Sequence, residues 1–133
     1  MKNHLKKTGL FITLVIFMLG ACKKSKDEEP SANNRKIKYE VTGNFTGKLV
    51  IVYSDNVSGN TVVSEVTLPW TKEITYASNI HVIGIGGSSS SVGVPGQNAT
   101  LKIYAGGVVK ASQTTSAGTV GELSLATIAY DFK

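Results

Sequence analysis

Cysteine is almost missing from this chain of 133 residues: Cys22 is the only one. A disulfide framework and a thiolate metal cluster are thereby excluded within the chain, and so is a cysteine nucleophile if Cys22 is itself consumed. Histidine is nearly as scarce. His81 is the only one beyond the N-terminal stretch, and a lone histidine within a predicted strand has no partners for metal binding or proton transfer. No G-x-S-x-G elbow occurs, and Ser88, Ser89, Ser90 and Ser91 read as a loose loop rather than a strained turn. Gly84, Ile85, Gly86 and Gly87 lack the last glycine of a dinucleotide fingerprint and lead into serines, not a helix. These absences predict a protein that is not an enzyme and that carries no cofactor and no metal.

Long apolar runs are also few, and the one that exists sits at the N-terminus. Lys2, Lys6 and Lys7 precede an apolar stretch over residues 10–19, which ends in the small residues Gly20 and Ala21. As a helix, residues 9–21 would span roughly 20 Å, short of the ~30 Å hydrocarbon core. That is the anatomy of a secretory signal. Leu19, Gly20, Ala21 and Cys22 together resemble a bacterial lipobox, with cleavage before Cys22 and lipid on its thiol and new amino group. The alternative, an uncleaved anchor helix, leaves the placement of Cys22 a coincidence. Each buried acyl CH₂ contributes ~0.8 kcal/mol, so two or three chains hold a protein on a membrane essentially permanently.

The stretch from residue 23 to 35 has no apolar residue larger than Ala32. Nothing in it offsets the entropy of ordering, so residues 22–35 read as a lipidated cysteine and a solvated linker. Lys26, Asp27, Glu28 and Glu29 resemble the Bacteroidota-type lipoprotein export signal, a lysine and acids shortly after the lipidated cysteine. That resemblance implies an outer-membrane, outward-facing location. The alternative is the periplasmic face. Loss of residues 1–21 removes Lys2, Lys6 and Lys7 and takes the net charge from +5 to +2, and residues 36–133 hold seven lysines against six acids. So balanced a domain gives no reason to expect nucleic acid as a partner.

Residues 36–133 are enough for one domain, and no stretch of them keeps a 3.6-residue apolar period. Ile37, Tyr39 and Val41 alternate with Lys36, Lys38 and Glu40, and Leu49, Ile51 and Tyr53 share one face of a second strand. Further strands are predicted over residues 61–67, 70–76, 79–85, 99–104, 108–114 and 122–132, the fifth central because it is the most apolar. Gly106 and Gly107 form a tight hairpin, and residues 86–98 form the longest irregular stretch. Seven to eight short strands predict an all-β, antiparallel β-sandwich, preceded by a signal peptide at residues 1–21 and a disordered tether.

Several segments of that sandwich, in order, resemble the MmpS family. The opening Tyr39, Glu40, Val41, Thr42 and Gly43 is similar to its first strand, and residues 50–55 resemble its second. Leu68, Pro69 and Trp70 resemble its leucine-proline-tryptophan signature, and residues 101–110 its later hairpin. The resemblance implies an immunoglobulin-like sandwich and an accessory role beside RND-type exporters. This chain departs from the family in having a lipobox where a transmembrane helix is usual, and in lacking paired cysteines.

Two side-chain groups remain open to a functional reading. Trp70 is either a core anchor or a surface platform for sugar or peptide, with Tyr53, Tyr76 and Tyr104 as candidate neighbours. Asp55, Asn56, Ser58 and Asn60 could offer hard oxygens to Ca²⁺, although turns favour these residues for backbone reasons. The expected role is a membrane-anchored accessory or binding module with an envelope or transporter protein as partner. The alternative is a free-standing carbohydrate- or peptide-binding lipoprotein, which would need an exposed aromatic cluster or a structured loop over residues 86–98. Alanine at Asp27, Glu28 and Glu29 is predicted to hold the protein on the periplasmic face, read as loss of protease accessibility on intact cells with lipidation unchanged. Unaltered accessibility would refute the export signal.

Overall fold

A computed structural model describes residues 32–57 and 59–133, and eight strands lie within them. Leu19, Gly20, Ala21, Cys22, Lys26, Asp27, Glu28 and Glu29 lie outside the described residues. Among the described residues no helix is long and apolar enough to cross a membrane.

The strands are β1 (Lys36–Gly43), β2 (Leu49–Ser54), β3 (Asn60–Val66), β4 (Trp70–Thr75), β5 (Val82–Ser89), β6 (Asn98–Ala105), β7 (Val108–Ser116) and β8 (Ser124–Asp131). They form two four-stranded antiparallel sheets, ordered β4-β1-β6-β7 and β3-β2-β5-β8. The all-β sandwich expected from the sequence is the fold. Period-two burial builds it: Ile37, Tyr39 and Val41 of β1 face Leu49, Ile51 and Tyr53 of β2, with Leu101 and Ile103 of β6 and Ile83 and Ile85 of β5 beside them. At ~25 cal/mol per Å² of apolar surface, such positions supply most of the driving force for folding.

The fifth strand is central, as expected, but its bounds are shifted. It starts at Val82, because Asn79 sits in a turn closed by Ile80 N donating to Ala77 O (3.1 Å), so His81 precedes the strand. It then runs through Gly86, Gly87, Ser88 and Ser89, which composition assigns to a loop. β2 supplies the ladder on one side, with Val50 opposite Ser88 and Leu49 opposite Ser89, and β8 on the other. Glycine at 87 is a packing requirement, since a Cβ there would lie 2.3 Å from Val50 O. The irregular stretch therefore shrinks to residues 90–97. The last strand is also shorter than expected, because Glu122 O is taken by Gly118 N (2.8 Å) in a turn.

Every strand runs between the same two ends. At one end lie the connections 55–59 and 76–81, the Gly106 and Gly107 hairpin, and both the point where the chain enters β1 and its last residues. There Ala32–Arg35 form one 3₁₀ turn, and Arg35, counted with the linker on composition, is docked on the domain. Its Nη1 donates to Ala77 O and Ile80 O, each at 2.7 Å, and its guanidinium lies 4.4 Å from the Phe132 ring centroid. At the opposite, distal end lie the connections 44–48, 67–69, 90–97 and 117–123.

The two sheets are joined at the entry end by buried hydroxyls. Tyr39 of β1 is fully buried, and its hydroxyl lies 2.7 Å from that of Tyr76, which in turn donates to Ser54 O at the end of β2. Burial holds the Tyr39 phenol far above its ordinary pKa, helped by its bond to Tyr76, and burial pushes Tyr76 up to about 12. Both groups bind a proton more tightly folded than unfolded. Stability is thus complete below pH ~10, the unfolded value, and falls as pH rises beyond it, by up to about 1.4 kcal/mol per unit for each group. Tyr76→Phe should cost about 1–3 kcal/mol in urea denaturation, since it strands the Tyr39 hydroxyl, while Tyr39→Phe should cost less. The Tyr39→Phe, Tyr76→Phe pair should flatten the alkaline fall. An unchanged fall in the pair would contradict the assignment.

Candidate functional site

The aromatic residues singled out from the sequence do not assemble into an exposed platform. Tyr53 and Tyr76 are buried, as their inward parity with Leu49 and Ile51 on β2 and the hydroxyl pair above require. Trp70 is half-buried against the core, its ring 5.9 Å from that of Tyr53, which is itself 5.5 Å from Tyr39. These rings form an internal stack that bridges the sheets.

Tyr104 alone of the four points outward, on the solvent face of the first sheet. The Lys38 ammonium sits 4.1 Å over its ring, its hydroxyl donates to Glu40 Oε1 at 2.8 Å, and Lys38 Nζ lies 3.0 Å from Glu40 Oε2. The Tyr104 hydroxyl, and after it Lys38, hold the Glu40 carboxyl below its usual range, and Glu40 raises Lys38. A shallow groove of about 470 Å³ opens beside them, lined by Lys36, Lys38, Glu73, Tyr104, Gly106 and Gly107. Both of its lysines are paired, Lys36 with Glu73 at 3.4 Å.

The residues considered for Ca²⁺ are occupied in turn geometry. Asp55 Oδ1 accepts from Val57 N (2.8 Å) and Gly59 N (3.2 Å), and Oδ2 accepts from the Thr61 hydroxyl. Asn56 spans to Thr75 O and Ala77 N, and Ser58 lies outside the described residues. Among the described residues no group of three or more His, Cys, Asp or Glu is placed to hold a metal. His81 is exposed, and its carbonyl accepts from Phe132 N at 2.8 Å.

The distal tip contains residues 86–98, which are structured, as the carbohydrate- or peptide-binding alternative requires, and sequence reasoning missed their partners in 44–48 and 117–123. Connections 44–48, 90–97 and 117–123 are knitted to one another rather than free. Gln97 Oε1 accepts from Thr46 N (3.0 Å), Thr46 Oγ1 (2.9 Å) and Val94 N (2.9 Å). Gly93 N donates to Gly121 O (2.8 Å), Gly96 N to Ala117 O (3.0 Å), and Ala117 N to Gln97 O (2.7 Å). Lys48 N donates to Ser91 Oγ at 2.7 Å and Leu123 N to Ser89 Oγ at 2.9 Å, so the serines act as staples. Phe45 is buried beneath. Gly121, at φ +80°, permits the approach, since a Cβ there would lie 2.3 Å from Gly93 O.

On this ordered base stand three valines with no cover: Val92 is 66% exposed, Val94 56% and Val120 72%. Lys48 and Glu122 are the only charged residues in the distal connections, and Glu122 Oε2 is turned back to accept from Val120 N at 3.2 Å. Scattered surface valines need no explanation, but these three stand exposed on mutually bonded loops, with Lys48, Glu122 and Glu65, which accepts from Ser90 Oγ at 3.3 Å, as the charged groups beside them. The signal in the sequence was two valines set among glycines, Val92 and Val94, where no strand could bury them.

Gln97→Ala should lower stability by about 1 kcal/mol, as two backbone donors and a hydroxyl lose their acceptor, and should open residues 90–97 to proteolysis. Gln97→Glu keeps the acceptor oxygen and should leave both unchanged. Equal loop cleavage in both variants would show that the hub does not order the tip.

Comparison with known proteins adds one match. The family model described as Mycobacterium membrane protein covers residues 16–120, from the apolar N-terminal run through β7 and into the last distal connection. No curated protein matches the chain significantly. The segments that resemble the MmpS strands and the leucine-proline-tryptophan signature all fall inside that span. With most of its length matched and its strands forming the expected sandwich, the chain belongs to the Mycobacterium membrane protein family, the MmpS family.

Proposed function

We propose that the protein is an outer-membrane lipoprotein, anchored through Cys22 and facing outward, whose sandwich is a non-catalytic accessory module of an envelope complex. The complex would be of the RND transport type that the family resemblance implies. The observation that carries this reading is the placing of the valine tip. It stands at the end of the sandwich opposite Arg35 and Lys36, where the chain arrives from the anchor. An apolar tip turned away from the anchor meets proteins of the same envelope, and its bonded loops lose little conformational entropy on contact. Membership of a membrane protein family supports the association with a membrane.

Cross-linking in intact cells, capture of the protein and mass spectrometry test this. The expected result is one envelope protein near stoichiometry, with recovery falling at least tenfold in a Val94→Asp, Val120→Asp variant of unchanged abundance. Recovery unaffected by the variant would remove the tip from the account. No partner above background would favour a free-standing carbohydrate- or peptide-binding lipoprotein.

A further inference from the structure

The entry end of the sandwich carries its own uncovered apolar residues. Val57, at the tip of connection 55–59, is 96% exposed, Val82 at the start of β5 is 58% exposed, and Val108 after the hairpin is 57% exposed. They belong to both sheets and share no pocket, so they form a rim and not a cleft. Lys36, Lys110 and Lys133 stand among them. The acids at this end are engaged: Asp55 accepts from amides of its own loop, that of Val57 among them, and Glu73 is bridged to Lys36. Asp131 is the remaining carboxylate near the rim apart from the chain terminus.

We propose that this rim rests on the lipid surface that holds the anchor, an inference that stands on the reading of Cys22 as lipidated. The length of chain between them fixes the partner. From Cys22 to Ala32 is about ten residues, which at full extension reach no more than ~36 Å. Arg35, bonded to Ala77 O and Ile80 O and set against Phe132, makes the chain leave the domain at the rim and nowhere else. The tether thus holds the rim at high effective concentration over the membrane, where weak contacts suffice. A spread of valines with lysines between them suits a deformable interface: the valines enter the headgroup boundary while lysine stems lie along it with their ammonium groups in water. The groove at this end is lined by Lys36, Lys38, Glu73, Tyr104 and the hairpin glycines and by none of these valines, so it gives a protein partner no apolar seat.

The test uses the mature protein with its native acyl chains, reconstituted in phosphatidylethanolamine–phosphatidylglycerol vesicles with brominated tails. Because lipidation blocks the Cys22 thiol, a bimane label enters only at an introduced cysteine: Val57→Cys, Val108→Cys, or Val120→Cys at the distal tip. Bromolipid quenching should be at least twofold greater at positions 57 and 108 than at 120. Equal quenching at all three positions, or none at 57 and 108, in protein that floats with the vesicles would overturn the rim contact while leaving lipidation standing. Protein that does not float, and that takes label at Cys22, would overturn lipidation and the rim contact together.

Discussion

The sandwich depends on a pair of tyrosine hydroxyls more than on any other polar contact. A domain of this size can bury a core without a disulfide, but apolar burial is non-directional and does not by itself fix how two sheets face each other. Tyr39, Tyr76 and the Ser54 carbonyl supply the directional contact, a hydrogen-bonded chain from β1 across to β2. Tyr76 is buried and held beside β1 by its amide on Arg35 O, so sliding one sheet over the other would take the Ser54 acceptor from its hydroxyl. Rings extend the link in both directions: Tyr53 and Trp70 on one side, Phe132 and Tyr130 on the other, with Arg35 on the Phe132 ring. Arg35, just ahead of β1, is therefore tied into the core.

This gives the molecule two unlike ends. Around the tyrosine chain the entry end is fixed by side chains, and Arg35 brings the chain into β1 at one place. The distal end has no such core of rings. It is ordered by Phe45 below and by loop-to-loop hydrogen bonds above, with Gln97 and two serines as acceptors. Apolar surface is left uncovered at both ends, while the solvent face of the first sheet carries paired charges. The proposed module, with lipid at one end and a protein at the other, would use both uncovered ends.

Much of this was legible in the sequence where parity decides. Ile37, Tyr39 and Val41, or Leu101 and Ile103, announce strands by period two, and Tyr53, offered beside Tyr104 as a surface neighbour of Trp70, follows the parity of Leu49 and Ile51 into the core. What composition hid were cases in which a distant segment overrides local preference. Gly86, Gly87, Ser88 and Ser89 look like a turn, yet β2 and β8 give them a ladder from both sides. Arg35 looks like linker, and its partners lie more than forty residues away in Ala77 and Ile80. The ordering of the tip was hidden for the same reason: Gln97 acquires its role from Thr46, 51 residues earlier. Residue type marks turns, whereas order within a loop is set by contacts that no local window contains.

The central claim is that the distal loops are an ordered platform and not mobile connections. Native-state hydrogen exchange tests it most directly. The amides of Gly93, Gly96, Ala117 and Leu123 should be protected to nearly the extent of those in β2 and β5, because each donates within the knitted tip. Exchange of these amides at the rate of an open chain, beside protected strands, would contradict it.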